Sequence, residues 1–412
     1  MTTDMRSALL IGTGGFGNVH LRELTRLEDE GVLRLAAASD VRVPEQSAKL
    51  IADRGLRVYG DYREMLAAET GADFVIVCTP IQLHAPMCRD AMEAGYHVLL
   101  EKPPSAMIQD VDAISETARR TGKLCGVNFF APSRSALERI ERTAVSGDIG
   151  RVHSIKGLSL LTRTHAYFNR TPWAGKLRAN GAVVLDGAFH NPAAHLLYSM
   201  LKMAELVSDS DGKGSGADPL RVTAEMYHAN PIESDDTTSM RIELRNGTTL
   251  CFYVTLCARQ AETQRVRLEG TEGAIEWDYN DRVTVWSKGE TRTFDCAEGS
   301  ILERRYRNLM RAVEGSEDRL DVSIESARRF TLAANGAFES AGLIRTVPPA
   351  FVVRSTGDDQ PGSYIHGIEA TLKEAFAAGQ LLSEAGAPWA EPSTPYDVSD
   401  YRQFPQRFRF PE

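Results

Sequence analysis

One short stretch constrains this chain more than any other: Leu9-Leu10-Ile11-Gly12-Thr13-Gly14-Gly15-Phe16-Gly17-Asn18-Val19-His20. An apolar run meets glycines at positions 12, 14 and 17, and a helical pattern follows. Glycines in that spacing permit a tight strand-to-helix turn and a close approach of backbone to pyrophosphate. They also leave the first N–H groups of the helix facing the phosphates. The spacing alone is a weak signal. Its position gives it weight, because it closes a first strand and opens a helix inside a strand–helix–strand unit. A glycine turn with no ligand is the competing reading.

Strand patterns at 8–12, 33–39, 74–78, 98–101 and 124–128 alternate with helical patterns such as 16–27 and 111–120. That alternation predicts a doubly wound parallel sheet. The second strand runs into Asp40-Val41-Arg42. A carboxylate at position 40 can accept from both ribose hydroxyls and repels a 2′-phosphate, which favours NAD over NADP. Arg42 could instead hold that phosphate, and Asp40 could be a turn or capping residue.

From about 220 the pattern changes. Strand-like segments at 220–228, 239–245, 249–257, 264–269, 273–278, 282–287 and 291–295 follow one another, and Asn246-Gly247 is a hairpin signal. They predict an open, mostly antiparallel sheet, with helices at 133–146, 301–314 and 324–344. The Gly/Ser/Asp-rich span 206–218 reads as an exposed loop. The expected class is α/β: a Rossmann domain over 1–130, then an α+β substrate-binding domain over 131–345. A C-terminal extension, 346–412, carries one helix near 364–385 and a Pro/aromatic tail. It could wrap the protein's own surface, pack on a partner subunit or cover the site.

Three further motifs join the glycine turn: Cys78-Thr79-Pro80 with His84, Glu101-Lys102-Pro103, and the segment 180–190 that ends in Asp186 and His190. In this order the four resemble the glucose–fructose oxidoreductase / inositol dehydrogenase / rhizopine-catabolism (Gfo/Idh/MocA) family over residues 6–345. The resemblance implies a nicotinamide cofactor. It also implies cofactor contacts from Gly12, Gly14, Phe16, Gly17, Asn18, Asp40, Val41, Cys78, Thr79, Pro80, His84, Glu101, Lys102 and Asn128. Lys102 matches the family's Glu-Lys-Pro lysine, and Asp186 with His190 its Asp-x-x-x-His pair. Most members act on sugars, cyclitols or related polyols, and a homo-oligomer, dimer or tetramer, is expected. Two departures stand out. Asn128-Phe129-Phe130 lies where a basic residue is common, and Asn191 and His195 lie where an acid often follows the histidine.

The residue types suit hydride chemistry. A lysine held at a strand end, with Pro103-Pro104 restricting the backbone, can stabilise a developing alkoxide. The alternative is a solvent lysine paired with Glu101. His190 is the natural base for a hydroxyl proton. Asp186 could orient it or contact substrate, while a cap and a core histidine are the plainer roles. Pro192 argues that the helix starts near 189–191, so that both residues sit on the turn leading in. His195 reads as structural, with substrate contact as the other assignment. These residues share no helical face, and no metal is expected.

A net charge of −9 argues against general affinity for nucleic acid or anionic membrane. No apolar run approaches the roughly 20 residues of a membrane span. No signal peptide is seen, and the six scattered cysteines fit reduced thiols in a cytoplasmic protein. Against that acidic background, nothing acidic lies between Asp148 and Asp186, while Arg151, Lys156, Arg163, Arg170, Lys176 and Arg178 do. Tyr167, Phe168 and Trp173 could stack on a sugar ring. Arg163, Arg170, Lys176 and Arg178 could hold a carboxylate, phosphate or sulfonate. A basic surface that pairs with acidic neighbours or another subunit is the equal alternative.

Three functions remain open. The first is NAD-dependent oxidation or reduction of a secondary hydroxyl on a sugar, sugar acid or cyclitol, with an anionic sugar or glycoside as the expected substrate. The second is a redox-neutral glycosidase that oxidises C3 transiently, eliminates, hydrates and re-reduces. The third is a non-catalytic NAD-binding sensor.

Overall fold

The computed structural model describes residues 5–208, 215–317, 319–355 and 361–411. The chain divides into two compact units.

The first unit comprises Met1–Phe129 and Gly299–Arg328. Its strands are β1 (Ser7–Ile11), β2 (Arg34–Ser39), β3 (Val58–Tyr59), β4 (Phe74–Val77), β5 (His97–Leu100) and β6 (Cys125–Val127). They form one parallel sheet in the order β3-β2-β1-β4-β5-β6. β1 and β4 are buried along their whole length, which is why they read as unbroken apolar runs. The helices are α1 (Phe16–Asp29), α2 (Glu45–Arg54), α3 (Tyr62–Ala68), α4 (His84–Glu93) and α5 (Ile108–Thr121). β3 has only two residues, too few to leave a pattern in the sequence.

The chain returns to this unit near its end. Helix Ile301–Glu314 sends Leu302, Tyr306, Leu309 and Met310 into the core that also holds Leu10, Leu21 and Ile76. The sequence reading kept this helix with the second domain. Its apolar spacing fits any buried helix face and does not say which core receives it.

The second unit comprises Phe130–Glu298 and Arg329–Glu412. Its main sheet has ten strands. From one edge the path runs Glu290–Asp295, Arg282–Ser287, Gly273–Asp278, Arg265–Gly270, Val152–Leu160, Thr249–Thr255, Thr237–Leu244, Pro219–His228 and Arg345–Thr346. Pairing is antiparallel except where Val152–Leu160 meets Thr249–Thr255 and where Pro219–His228 meets Arg345–Thr346. The Asn246-Gly247 turn joins two neighbouring strands as expected, with Leu244 N bonded to Thr248 O at 2.9 Å. Helix Ala194–Ser208 reaches further than the sequence suggested, and the middle of the expected loop, 209–214, lies outside the described residues.

The C-terminal extension packs on this sheet. Ile365, Ile368, Leu372, Phe376, Leu382 and Trp389 join one buried cluster with Leu158, Leu160, Tyr227 and Tyr253. Tyr396–Asp397 adds a further strand beside Pro219–His228. The helix expected over 364–385 covers only Ile368–Ala378, because Gly362–Ile365 is drawn into a strand against Val352–Ser355.

Candidate active site

In the first unit, the glycine turn lies at the carboxyl edge of the parallel sheet. Gly12 has φ +90°, and a Cβ there would stand 2.1 Å from the Cys78 carbonyl oxygen. A Cβ on Gly17 would stand 2.2 Å from the Gly12 oxygen. These two glycines let β1, the end of β4 and α1 meet at backbone distance. Gly15 begins α1 with no side-chain cap, and Gly17 N and Asn18 N donate to Gly14 O and Gly15 O at 2.8 and 3.2 Å, so the turn is built from backbone alone where the helix N-terminus favours an anion. Those features fit a dinucleotide pyrophosphate.

Asp40 is tied into this turn. Its Oδ2 accepts from Thr13 N at 2.7 Å and Thr13 Oγ1 at 2.8 Å, and its Oδ1 accepts from Arg42 N at 3.0 Å. A carboxylate offers about four acceptor positions, so roughly one remains for a ribose hydroxyl. Asn18 also faces protein, donating to Ser47 Oγ at 2.8 Å, while Phe16 and Val41 are exposed. His84 contacts Pro103 O at 2.9 Å and Thr79 O at 2.8 Å through its two ring nitrogens. Burial draws its pKa down, and the two carbonyls oppose that shift. His84 therefore pins the Cys78-Thr79-Pro80 turn to the segment that follows Lys102.

Lys102 itself follows β5, and the Lys102–Pro103 peptide is cis. Glu101 is buried, and it is no surface partner for the lysine. Its Oε1 contacts His20 Nε2 at 2.8 Å and accepts from Asn128 Nδ2 at 2.5 Å. Asn128, expected near the cofactor, is here a buried ligand of Glu101.

The second unit carries the Asp186–His190 segment. Asp186 and His190 lie on turns before helix Ala194–Ser208, both buried. Pro192 has no N–H, and the first helical residue comes two positions after it. Leu185, immediately before Asp186, has φ +51°. A branched side chain in the left-handed region is strained, and such strain is characteristic of functional turns. Asp186 Oδ2 accepts from Gly175 N at 2.8 Å and from Arg170 at 3.3 Å, and Oδ1 accepts from Asn191 Nδ2 at 2.6 Å.

The basic window is mostly matched by acids and rings from elsewhere in the chain. Lys176 pairs with Glu233 at 2.7 Å, Lys156 with Glu269 at 2.9 Å, and Arg178 stacks over Phe410 at 3.8 Å. Arg170 lies 3.8 Å over Tyr167 and 5.4 Å from the Trp173 ring. Arg163 lies 5.0 Å from the Tyr167 ring, and its Nε has no hydrogen-bond partner among the described residues. His195 is engaged elsewhere. Its Nδ1 accepts from Phe130 N at 3.0 Å, and its ring stacks on Phe130 at 4.4 Å.

Asp235 escaped the sequence reading. A Cβ on Gly187 would lie 1.8 Å from its Oδ1, and its backbone oxygen accepts from Ala188 N at 2.9 Å. Asp235 thus braces the turn that carries Asp186 and His190. Burial pushes its carboxyl up to about 7 from the usual 3.8, against the Thr238 hydrogen bond and with the help of Asp236. A carboxyl raised on folding contributes stability in full below its unfolded pKa, and that contribution is lost as pH rises to the folded value. Between about pH 4 and pH 7 this residue therefore makes the wild type less stable as pH rises. Asp235→Asn is expected to lack that component. The check is melting temperature against pH for both proteins, and two parallel curves would refute the assignment.

Among the described residues no three His, Cys, Asp or Glu gather as a metal site, and no helix is long and apolar enough to cross a membrane.

Residues 6–129 match the model of an oxidoreductase family with an NAD-binding Rossmann fold, and residues 137–276 match the GFO/IDH/MocA C-terminal domain. The myo-inositol 2-dehydrogenase of Thermotoga maritima is 23% identical over 278 residues, 67% of this chain and 76% of that protein. A glycosyl hydrolase family 109 protein of Shewanella woodyi is 28% identical over 188 residues, 41% of this chain and 39% of that one. Among solved structures, the WlbA dehydrogenase of Bordetella pertussis, in complex with NADH and UDP-GlcNAcA, has a TM-score of 0.68 at 21% identity. The match covers 82% of this chain and 96% of the other. With both domain models matched in order on the two units just described, the chain belongs to the Gfo/Idh/MocA family of NAD-dependent oxidoreductases.

Proposed function

We propose that the protein oxidises or reduces a secondary hydroxyl on a sugar, sugar acid or cyclitol. The observation that carries this reading is the placement of Lys102. It follows β5, at the same sheet edge as the glycine turn after β1, with only β4 between the two strands. Bound NAD, held by the glycine turn and Asp40, would supply the hydride acceptor. Lys102 donates to the substrate oxygen and stabilises negative charge as it develops. His190 takes the hydroxyl proton. Asp186, fixed by Gly175, Arg170 and Asn191, orients the histidine or the sugar. Purified protein with NAD and a panel of sugars, sugar acids and cyclitols should produce NADH with at least one of them. Failure across all three classes would count against the reading.

An anionic substrate is the finer proposal. The UDP-sugar acid bound to the WlbA structure is consistent with it. Lys176, Arg178 and Arg170 have partners within the protein, so the anion falls to Arg163, whose Nε has none among the described residues. Arg163→Ala is expected to raise KM roughly tenfold or more for an acidic sugar and to leave KM for its neutral analogue nearly unchanged. Equal KM values in mutant and wild type would remove the anion from the proposal.

The likeness to a glycosyl hydrolase family 109 protein favours a second reading, a redox-neutral glycosidase. An aryl glycoside separates the two. Phenol release without NADH accumulation selects the glycosidase, and NADH without phenol selects the dehydrogenase.

A further inference from the structure

Lys102 does not act alone in its surroundings. Behind it runs a line of buried polar groups that the proposed chemistry leaves unused. Tyr306 and His20 are both fully buried. The Tyr306 hydroxyl contacts His20 Nδ1, His20 Nε2 contacts Glu101 Oε1 at 2.8 Å, and Glu101 Oε2 accepts from the Lys102 backbone N–H at 3.2 Å. Asn128 adds its 2.5 Å bond to Glu101. Phe16 closes over His20 edge-on, with ring centres 5.4 Å apart.

One arrangement of hydrogens satisfies all these contacts. The tyrosine O–H donates to Nδ1, and Nε2–H donates to the carboxylate. Burial pushes the Tyr306 phenol well above its usual range, with the Glu101 charge adding to it, so the hydroxyl keeps its proton and can donate. Burial by itself pushes the Glu101 carboxyl up. The bonds from His20 and Asn128 and the nearby Lys102 charge outweigh it and hold the carboxyl below its usual value. Electrostatic coupling is reciprocal, so a carboxylate favoured by Lys102 favours the ammonium in return.

We propose that Tyr306, His20 and Asn128 form a buried hydrogen-bonded chain that fixes the Glu101 carboxylate behind Lys102 and so keeps the lysine amine protonated. Tyr306, His20 and Asn128 are positioning residues, acting through Glu101. The arrangement also divides the labour of the reaction: a lysine held as ammonium is a donor, and the proton must go to another group. Tyr306, on the helix with which the chain returns to the first unit, supplies the far end of the line. The other titratable groups packed here are Glu23 on α1, which raises Tyr306, and Cys78 and His84 at the ends of β4 and α4, which feel both Glu101 and Lys102.

The inference rests on Lys102 as the group that meets the substrate oxygen, but its test does not depend on turnover. Acetic anhydride acylates only the neutral amine. The full-length protein is pulse-labelled across a pH series, and acetylation at Lys102 is read by peptide mass spectrometry. Glu101→Gln is expected to move the labelling midpoint down by about 1–3 units. Tyr306→Phe, which removes one oxygen, and His20→Gln are each expected to move it in the same direction by a smaller amount. Midpoints equal to wild type in both Tyr306→Phe and His20→Gln, in proteins that melt as wild type does, overturn the proposal even if Glu101→Gln shifts. Should His20→Gln fail to fold, Tyr306→Phe decides alone. The activity of Lys102→Met reports separately on the underlying reading: an active Lys102→Met protein with a shifted midpoint in Tyr306→Phe would sink the catalytic role and leave the chain standing.

Discussion

Lys102→Met is expected to lower kcat by about 10²–10³-fold, the usual loss when one donor to a developing oxyanion is removed. Methionine keeps the length and much of the bulk of the side chain but offers no proton and no charge. The loss should fall on kcat more than on KM, because the bond to oxygen strengthens only as charge develops. NADH affinity, read by fluorescence, should change far less, since Gly12, Gly15 and Gly17 shape the phosphate turn through backbone alone. His190→Ala offers the complementary measurement, with an expected loss of about 10²–10⁴-fold that eases as pH rises and the substrate hydroxyl ionises more readily. If Lys102→Met turns over at the wild-type rate, the proposed chemistry fails. If the wild-type protein reacts with no sugar while Lys102→Met keeps a ligand-induced change, the sensor reading takes its place.

The sequence carried the elements whose cause is local. β1, β4 and β5 announce themselves because a strand buried on both faces is a nearly continuous apolar run. The glycine turn does so because only glycine fits 2.1 Å from a neighbouring carbonyl. Asn246-Gly247 fixed a hairpin for the same reason of local geometry. Pairings between distant segments left no such trace. His20 and Tyr306 are 286 residues apart, Lys176 and Glu233 are 57, and neither partner is unusual where it stands. The basic window illustrates the cost of that blindness. Read along the chain it has no acid near it, yet Glu233 and Glu269 reach its lysines once the strands are aligned. Glu101 shows the same limit. Next to Lys102 in a sequence, a surface pair is one of two readings, and only the fold reveals a buried carboxylate with three donors around it.

Glu339→Ala is expected to release the C-terminal end of the chain and to cost at least about 3 kcal/mol of stability. Glu339 is fully buried on helix Ile324–Ala341. Its Oε1 accepts from the Tyr401 hydroxyl at 2.5 Å and Gln406 N at 2.6 Å, and its Oε2 from Arg407 N at 2.5 Å and Phe408 N at 2.7 Å. One carboxylate thus satisfies three successive backbone N–H groups that have left regular structure, much as an anion sits in a nest of amides. Alanine leaves all four donors without an acceptor, and a buried donor left unmade costs more than a made bond contributes. Glutamine is a sharper probe. It keeps the shape, but its NH2 group must face at least one N–H, so Glu339→Gln should lie between wild type and alanine. Next to these bonds Phe408 and Phe404 pack on Phe338, with ring centres 5.1 and 6.0 Å away, and Phe410 lies under Arg178. Loss of the anchor should therefore free that arginine as well, linking the tail to the basic segment. Amide hydrogen exchange over 401–410, measured beside the melting temperature, tests the claim. Protection unchanged across that stretch in Glu339→Ala would mean that the aromatic packing holds the tail and the carboxylate does not.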